Sequence, residues 1–322
     1  MGKKFLSVFM IMLLLAFLLL DPDEAVAGSR AGLMLWFQSV LPVLLPFLIL
    51  SRLLISLDGL SPLLARVSPL IRHIWGLSSM GAYALLFGFL CGYPMGAKLS
   101  GDLVREGKIS PEEGAYLLLF CNNVSPAFLL GFCMTEHLKA PKLIPLTLAL
   151  VYGTPLVLAL FWRKGRRFPE KSRKAVPGLS QQKQTSGFQM SFKIVDACIM
   201  DSLESILKLG CYIILFSIMA RLAALIPWRH ALSGALCMGV LEITNGIAAV
   251  CALPIPLLPR YLSVCGFLVL GGLSGMAQTN GMLVGSGLPM GPYVKSKILT
   301  SLLTLLLAFT ALTLLPVPGN LR

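Results

Sequence analysis

The chain has 322 residues, of which 56% are hydrophobic and only 13% charged, and it carries a formal net charge of +13. A soluble domain carries about 25% charged residues, so too little charge is present here to cover a water-facing surface. The basic excess speaks against a nucleic-acid partner as well. Nine of the 27 Lys and Arg residues fall between Arg163 and Lys193, on a short polar segment between apolar runs, the pattern of a cytoplasmic loop under the positive-inside rule.

Residues 1–30 begin with Lys3 and Lys4, continue through an apolar stretch from Phe5 to Leu20, and then show Asp21, Asp23, Glu24 and Ala25-Val26-Ala27. This reads equally as a signal peptide with an A-x-A cleavage site or as an uncleaved signal anchor, and both place residue 21 outside. Leu33 to Leu57 is the next spanning run, interrupted by Pro42 and Pro46, and residues 60–76 read as an amphipathic interfacial segment. The segment 80–101 is apolar but broken by Gly88, Gly92, Pro94, Gly96 and Gly101, which predicts a re-entrant hairpin. Residues 114–134 then cross outward with Asn122, Asn123, Ser125 and Pro126 in mid-membrane, and Leu143 to Trp162 returns. Residues 163–193 form the basic linker.

The second half, 194–322, repeats the order. An outward span ends near Ile226, and a second broken apolar stretch, 231–257, predicts another hairpin. Tyr261 to about Leu283 crosses back, and Ile298 to Leu315 crosses last. The fold class is therefore all-α integral membrane, with about seven spanning helices and two re-entrant helical hairpins. Ser39–Ser51 (SVLPVLLPFLILS) aligns without gaps on Ser205–Ser217 (SILKLGCYIILFS). Gly88-Phe89-Leu90 resembles Gly239-Val240-Leu241, and Val124-Ser125 resembles Leu273-Ser274. Each unit, 31–162 and 194–322, makes an odd number of crossings, so the copies are inverted repeats. That arrangement points to a secondary transporter with its site at the repeat interface.

The stretch CGYPMGAK at 91–98 combines glycines that permit close backbone approach with a proline that stops a regular helix. Gly92, Tyr93, Pro94 and Met95 are candidate substrate-binding positions. Lys98 reads either as the group that meets an anion or as a lysine snorkelling to the inner surface. Asn122, Asn123 and Ser125 supply donors and acceptors, with interhelical hydrogen bonding as the structural alternative. In the second half Thr244, Asn245, Ser274 and Gln278 are the matching polar positions. Glu242, the only acid between Arg229 and Arg260, is a candidate proton-coupling group, a partner for Lys98 or another cation, or a structural buried carboxylate. No catalytic triad, HExxH or phosphate-cradling loop is present, so no enzyme is expected. The eight cysteines lack a CxxC pair and the three histidines are far apart, so no metal or cofactor is expected.

PFLILSRLL at 46–54, GFLCGYPMGAKLSGDLVREGKIS at 88–110, NNVSPAF at 122–128 and LSGMAQTNGML at 273–283 resemble the YlbJ-type sporulation integral membrane proteins. The resemblance implies a nucleoside-recognition, or gate, domain, distantly similar to concentrative nucleoside transporters, with two hairpins and two unwound helices around a central site. It also implies the outer forespore membrane of an endospore-forming bacterium, and a small anionic substrate, dipicolinic acid. The acid and amide pattern of nucleoside transporters is not reproduced position by position. The alternatives are a non-transporting scaffold of a sporulation complex and a nucleoside transporter. The partners expected are the small anion and the lipid bilayer. Oligomeric state is open, a homo-oligomer included.

Overall fold

The computed structural model describes residues 2–56, 61–163, 165, 167–169 and 192–314, and among these there is no strand. Most of the basic linker, 163–193, lies outside the described residues. The first half comprises α1 (Gly2–Leu20), α2 (Pro22–Leu35), a π-helical turn Trp36–Val40, α3 (Leu41–Ser56), α4 (Ser61–Trp75), α5 (Ser79–Cys91), α6 (Met95–Arg105) and α7 (Pro111–Leu118). A π-helical segment Phe128–His137 follows, and then α8 (Ile144–Leu148) and α9 (Thr154–Arg163), joined by a π-helical turn Ala149–Gly153. The second half comprises α10 (Phe192–Ala224), α11 (Ala231–Leu241), α12 (Ile243–Ala252), α13 (Leu257–Leu270), α14 (Gly272–Met282) and α15 (Met290–Leu314).

Helix starts follow from local chemistry. Asp21 caps α2 ahead of Pro22, and the Ser110 hydroxyl accepts from the Glu113 amide at 3.1 Å ahead of α7. Both supply an acceptor to an otherwise orphaned amide, with proline at a position where its missing N–H costs nothing.

Among the described residues four helical stretches are long and apolar enough to cross a bilayer: Pro141–Arg163, Phe192–Ala224, Leu257–Met282 and Met290–Leu314. Two bent pairs, Pro22–Val40 with Leu44–Leu50 and Ala65–Trp75 with Ser79–Cys91, raise the number to six. About seven crossings were expected from apolar runs alone. Within 114–134 α7 ends at Leu118 and helix resumes only near Phe128, so the stretch is not one continuous helix. The 93° bend between α4 and α5 sets α4 across the axis of the helix that follows it. Arg163 donates to the carbonyls of His73 and Ile74 at 2.8 and 2.7 Å, tying the end of α9 to the end of α4.

α15 shows how a helix in this protein divides its surface. Ile298, Leu299, Leu302, Leu306 and Phe309 are exposed, while Tyr293, Lys297, Thr300 and Thr304 are buried. The positions alternate at helical spacing, so the apolar face is left for lipid and the polar stripe faces protein, where Lys297 bonds Asn123 and Tyr293 bonds Asn122.

One hairpin occupies the middle of each half. α5 and α6 pack against each other so tightly that a Cβ on Gly88 would lie 2.9 Å from the Gly96 Cα. A Cβ on either glycine would overlap the Cys121 carbonyl oxygen. In the second half Gly239 and Gly246 bring α11 and α12 together in the same way. The Gly96→Ala variant should therefore lose about 1–3 kcal/mol of stability, read as a lowered melting temperature in detergent. Gly291→Ala, where a Cβ meets nothing within 4 Å, should melt like the parent.

Candidate functional site

The first hairpin turns at Gly92-Tyr93-Pro94. Gly92 adopts φ +81°, a left-handed conformation that favours glycine, and the Tyr93–Pro94 peptide is cis. The turn meets the unwound stretch between Leu118 and Phe128. There the Tyr93 amide donates to the Asn123 carbonyl at 2.5 Å, and a Cβ on Gly92 would overlap the Ser125 amide. The Tyr93 ring reaches across to the second half, against Gly271 and Gly275. Gly271 is left-handed and separates α13 from α14. One residue thus touches the breaks of both halves, by its amide in the first and its ring in the second.

The second hairpin turns at Glu242, which is the cap of α12. Its carboxylate accepts from the Thr244 hydroxyl at 2.7 Å, the Asn245 amide at 2.9 Å and the Asn245 Nδ2 at 3.1 Å. Glu242 is 4% exposed. A buried carboxylate at a helix N-terminus is stabilised by these donors and by the helix dipole. The expected pairing of Glu242 with Lys98 does not occur, and among the described residues no cation pairs with it. Asn245 also donates to the Ser217 hydroxyl of α10 at 3.0 Å.

A cavity of about 260 Å³ lies where these breaks converge. Of the residues singled out in the sequence, Tyr93, Ser125, Glu242, Thr244 and Gln278 line it. The aligned strips contribute too, through Ser39, Val40 and Leu44 from one and Leu209 and Ile213 from the other. Glu136, which is exposed, marks one end. The Tyr93 hydroxyl is buried with no hydrogen-bond partner, an unmet donor in the cavity wall. Gln278 donates to Ser274 at 2.9 Å, one turn earlier on α14, so Ser274 orients a lining side chain.

Other predicted positions stand elsewhere. Gly92, Pro94 and Met95 shape the hairpin turn and are not among the lining residues. Lys98 lies on α6 with its ammonium 3.7 Å from the Asp102 carboxylate. Asp102 also pairs with Arg105, whose guanidinium donates to the Val284 carbonyl at 2.8 Å. The physical reason is register: Lys98 and Asp102 are one helical turn apart and share a face. Arg105, on the next turn, reaches the connection between α14 and α15, and Lys98 is not among the residues that line the cavity.

Asn122 and Asn123 flank the cavity wall from behind. Asn122 donates from Nδ2 to the Thr279 hydroxyl at 2.9 Å and the Tyr293 hydroxyl at 3.0 Å, and accepts from the Ala97 amide at 3.3 Å. Asn123 donates to the Phe120 carbonyl at 2.7 Å and accepts from the Lys297 ammonium at 3.1 Å. Lys297 and Tyr293 were not identified from the sequence. A signal was available, since Tyr293, Lys297, Thr300 and Thr304 recur at helical spacing in an otherwise apolar run.

Exposed apolar helices, buried polar breaks and an internal polar cavity together define an all-helical, polytopic integral membrane protein. The chain is similar to the sporulation integral membrane protein YlbJ of Bacillus subtilis (strain 168), with 28% identity over 306 residues, covering 86% of this chain and 75% of that protein. No family model matches the sequence, and no solved structure matches it.

The capping geometry of Glu242 makes a separable prediction. Glu242→Ala removes every acceptor at the start of α12 and should cost about 1–2 kcal/mol, seen as a lower melting temperature. Glu242→Gln keeps one acceptor oxygen and should retain most of that stability in the same melt.

Proposed function

We propose that this chain is a sporulation membrane carrier that moves a small organic anion across the outer forespore membrane by alternating access. The observation that carries the reading is the cavity itself: about 260 Å³, bounded by the turns of two hairpins and by the broken spans packed against them. Non-helical backbone at bilayer depth is tolerated only where protein shelters it or where it lines a wet cavity, and a scaffold has no need of it. Matched breaks in two halves are the pattern of inverted-repeat transporters. Similarity to a sporulation integral membrane protein supports the setting.

Dipicolinate as the substrate, and the gate-domain assignment, rest on the family resemblance. The wall suits a planar carboxylate through its donors: the unpartnered Tyr93 hydroxyl, the Ser125 hydroxyl and the Gln278 amide. Glu242 is the acid of the cavity that is buried among donors, and a proton on it would remove its repulsion for an entering anion. It is assigned the coupling role.

Vesicles containing the purified protein should take up labelled dipicolinate and not uridine. Tyr93→Phe should lower uptake on the order of tenfold, the cost of one hydrogen bond to a charged group, while melting like the parent. Folded protein that leaves vesicles inert would favour the scaffold, and uridine uptake in place of dipicolinate would favour a nucleoside carrier.

A further inference from the structure

α15 carries a cation that the reading above does not use. Lys297 is 2% exposed, and its ammonium donates to the Asn123 side-chain oxygen at 3.1 Å. It also sits 5.8 Å from the centroid of the Tyr293 ring. Among the described residues no carboxylate is paired with it. An ammonium held away from water without a counter-ion is strongly unfavourable, and at membrane depth an ionisable group of this kind marks function by default.

Its position gives it something to act on. Asn123 belongs to the unwound stretch, and its carbonyl receives the Tyr93 amide of the first hairpin turn. The next two residues, Val124 and Ser125, line the cavity. Lys297 therefore stands directly behind the wall, separated from the cavity by the Asn123 side chain and a strand of backbone. The acids of the cavity, Glu242 and Glu136, carry no positive charge to an anion, and the lining includes no Lys or Arg. Lys98 is engaged with Asp102, and Arg52 with Asp201.

We propose that Lys297 is the specificity-determining cation of the cavity, acting through Asn123 to favour a carboxylate ligand over its neutral analogue. The inference rests on the carrier reading and names the residue behind its preference for anions. A charge screened only by low-dielectric protein keeps its field over several ångströms, and salt in bulk water weakens a buried charge little. Lys297 does not contact the ligand. It positions and biases, and the Ser125 and Tyr93 donors make the contacts.

The test is equilibrium binding of pyridine-2,6-dicarboxylate and of its neutral diamide to the purified full chain. The parent should prefer the dicarboxylate. Lys297→Met should lose that preference on the order of tenfold with diamide affinity kept, and Lys297→Arg should restore it. Asn123→Asp supplies a counter-charge without removing the lysine and should weaken the preference similarly, which covers a Met variant that fails to fold. If Lys297→Met and Asn123→Asp both keep the parental ratio, or lose both ligands equally together with melting temperature, Lys297 is structural and the inference is overturned with the carrier reading intact. A folded parent that binds neither ligand overturns both.

Discussion

The structure depends on one constraint: a backbone amide or carbonyl at bilayer depth has no water to turn to. Each such group left unpaired costs several kcal/mol, so a helix can unwind only where other elements supply its partners. Between Leu118 and Phe128 those partners come from four places. Asn123 itself bonds Phe120, the first hairpin turn supplies the Tyr93 amide, the Tyr152 hydroxyl donates to the Val124 carbonyl at 3.0 Å, and the Phe128 amide donates to the Ser125 hydroxyl. The unwound stretch is held because α6, the hairpin turn and the helix containing Tyr152 all converge on it. The same convergence leaves a cavity at their meeting point.

Close packing is the means of convergence. In lipid there is no hydrophobic drive between helices, and association relies on van der Waals contact and interhelical hydrogen bonds. Glycine pairs let the hairpin arms and the neighbouring backbone approach, as at Gly88 and Gly96. Across the halves, Asn122 links the first unwound stretch to Thr279 of α14 and Tyr293 of α15. The Thr147 hydroxyl and the Tyr261 hydroxyl, 3.0 Å apart, join α8 to α13.

Buried charge is distributed with equal economy. Glu242 caps α12, and the buried Glu113 carboxylate accepts from the Ser78 amide at 2.7 Å at the start of α5. Each carboxylate sits at a helix N-terminus, where oriented amides stabilise it. Among the described residues Lys297 has no such arrangement, and its ammonium donates to the Asn123 amide oxygen.

Several features were legible in the sequence because they are local. Composition and apolar run length require a membrane protein, since too little charge exists for a wet surface. Gly and Pro clusters mark where helices stop, so the breaks near 92–94 and 122–126 could be read directly, whereas the second hairpin was expected over 231–257 without its turn at Glu242. The residue types at those breaks then named Tyr93, Ser125, Glu242, Thr244 and Gln278 as a polar set, and these line the cavity. What only tertiary structure decided is which polar group faces which. Lys98 and Lys297 are both cations near breaks, and helical register sends the first to Asp102 while α15 delivers the second to Asn123. Such a choice depends on contacts across more than 170 residues of chain, and periodicity within one segment carries no information about its distant neighbour.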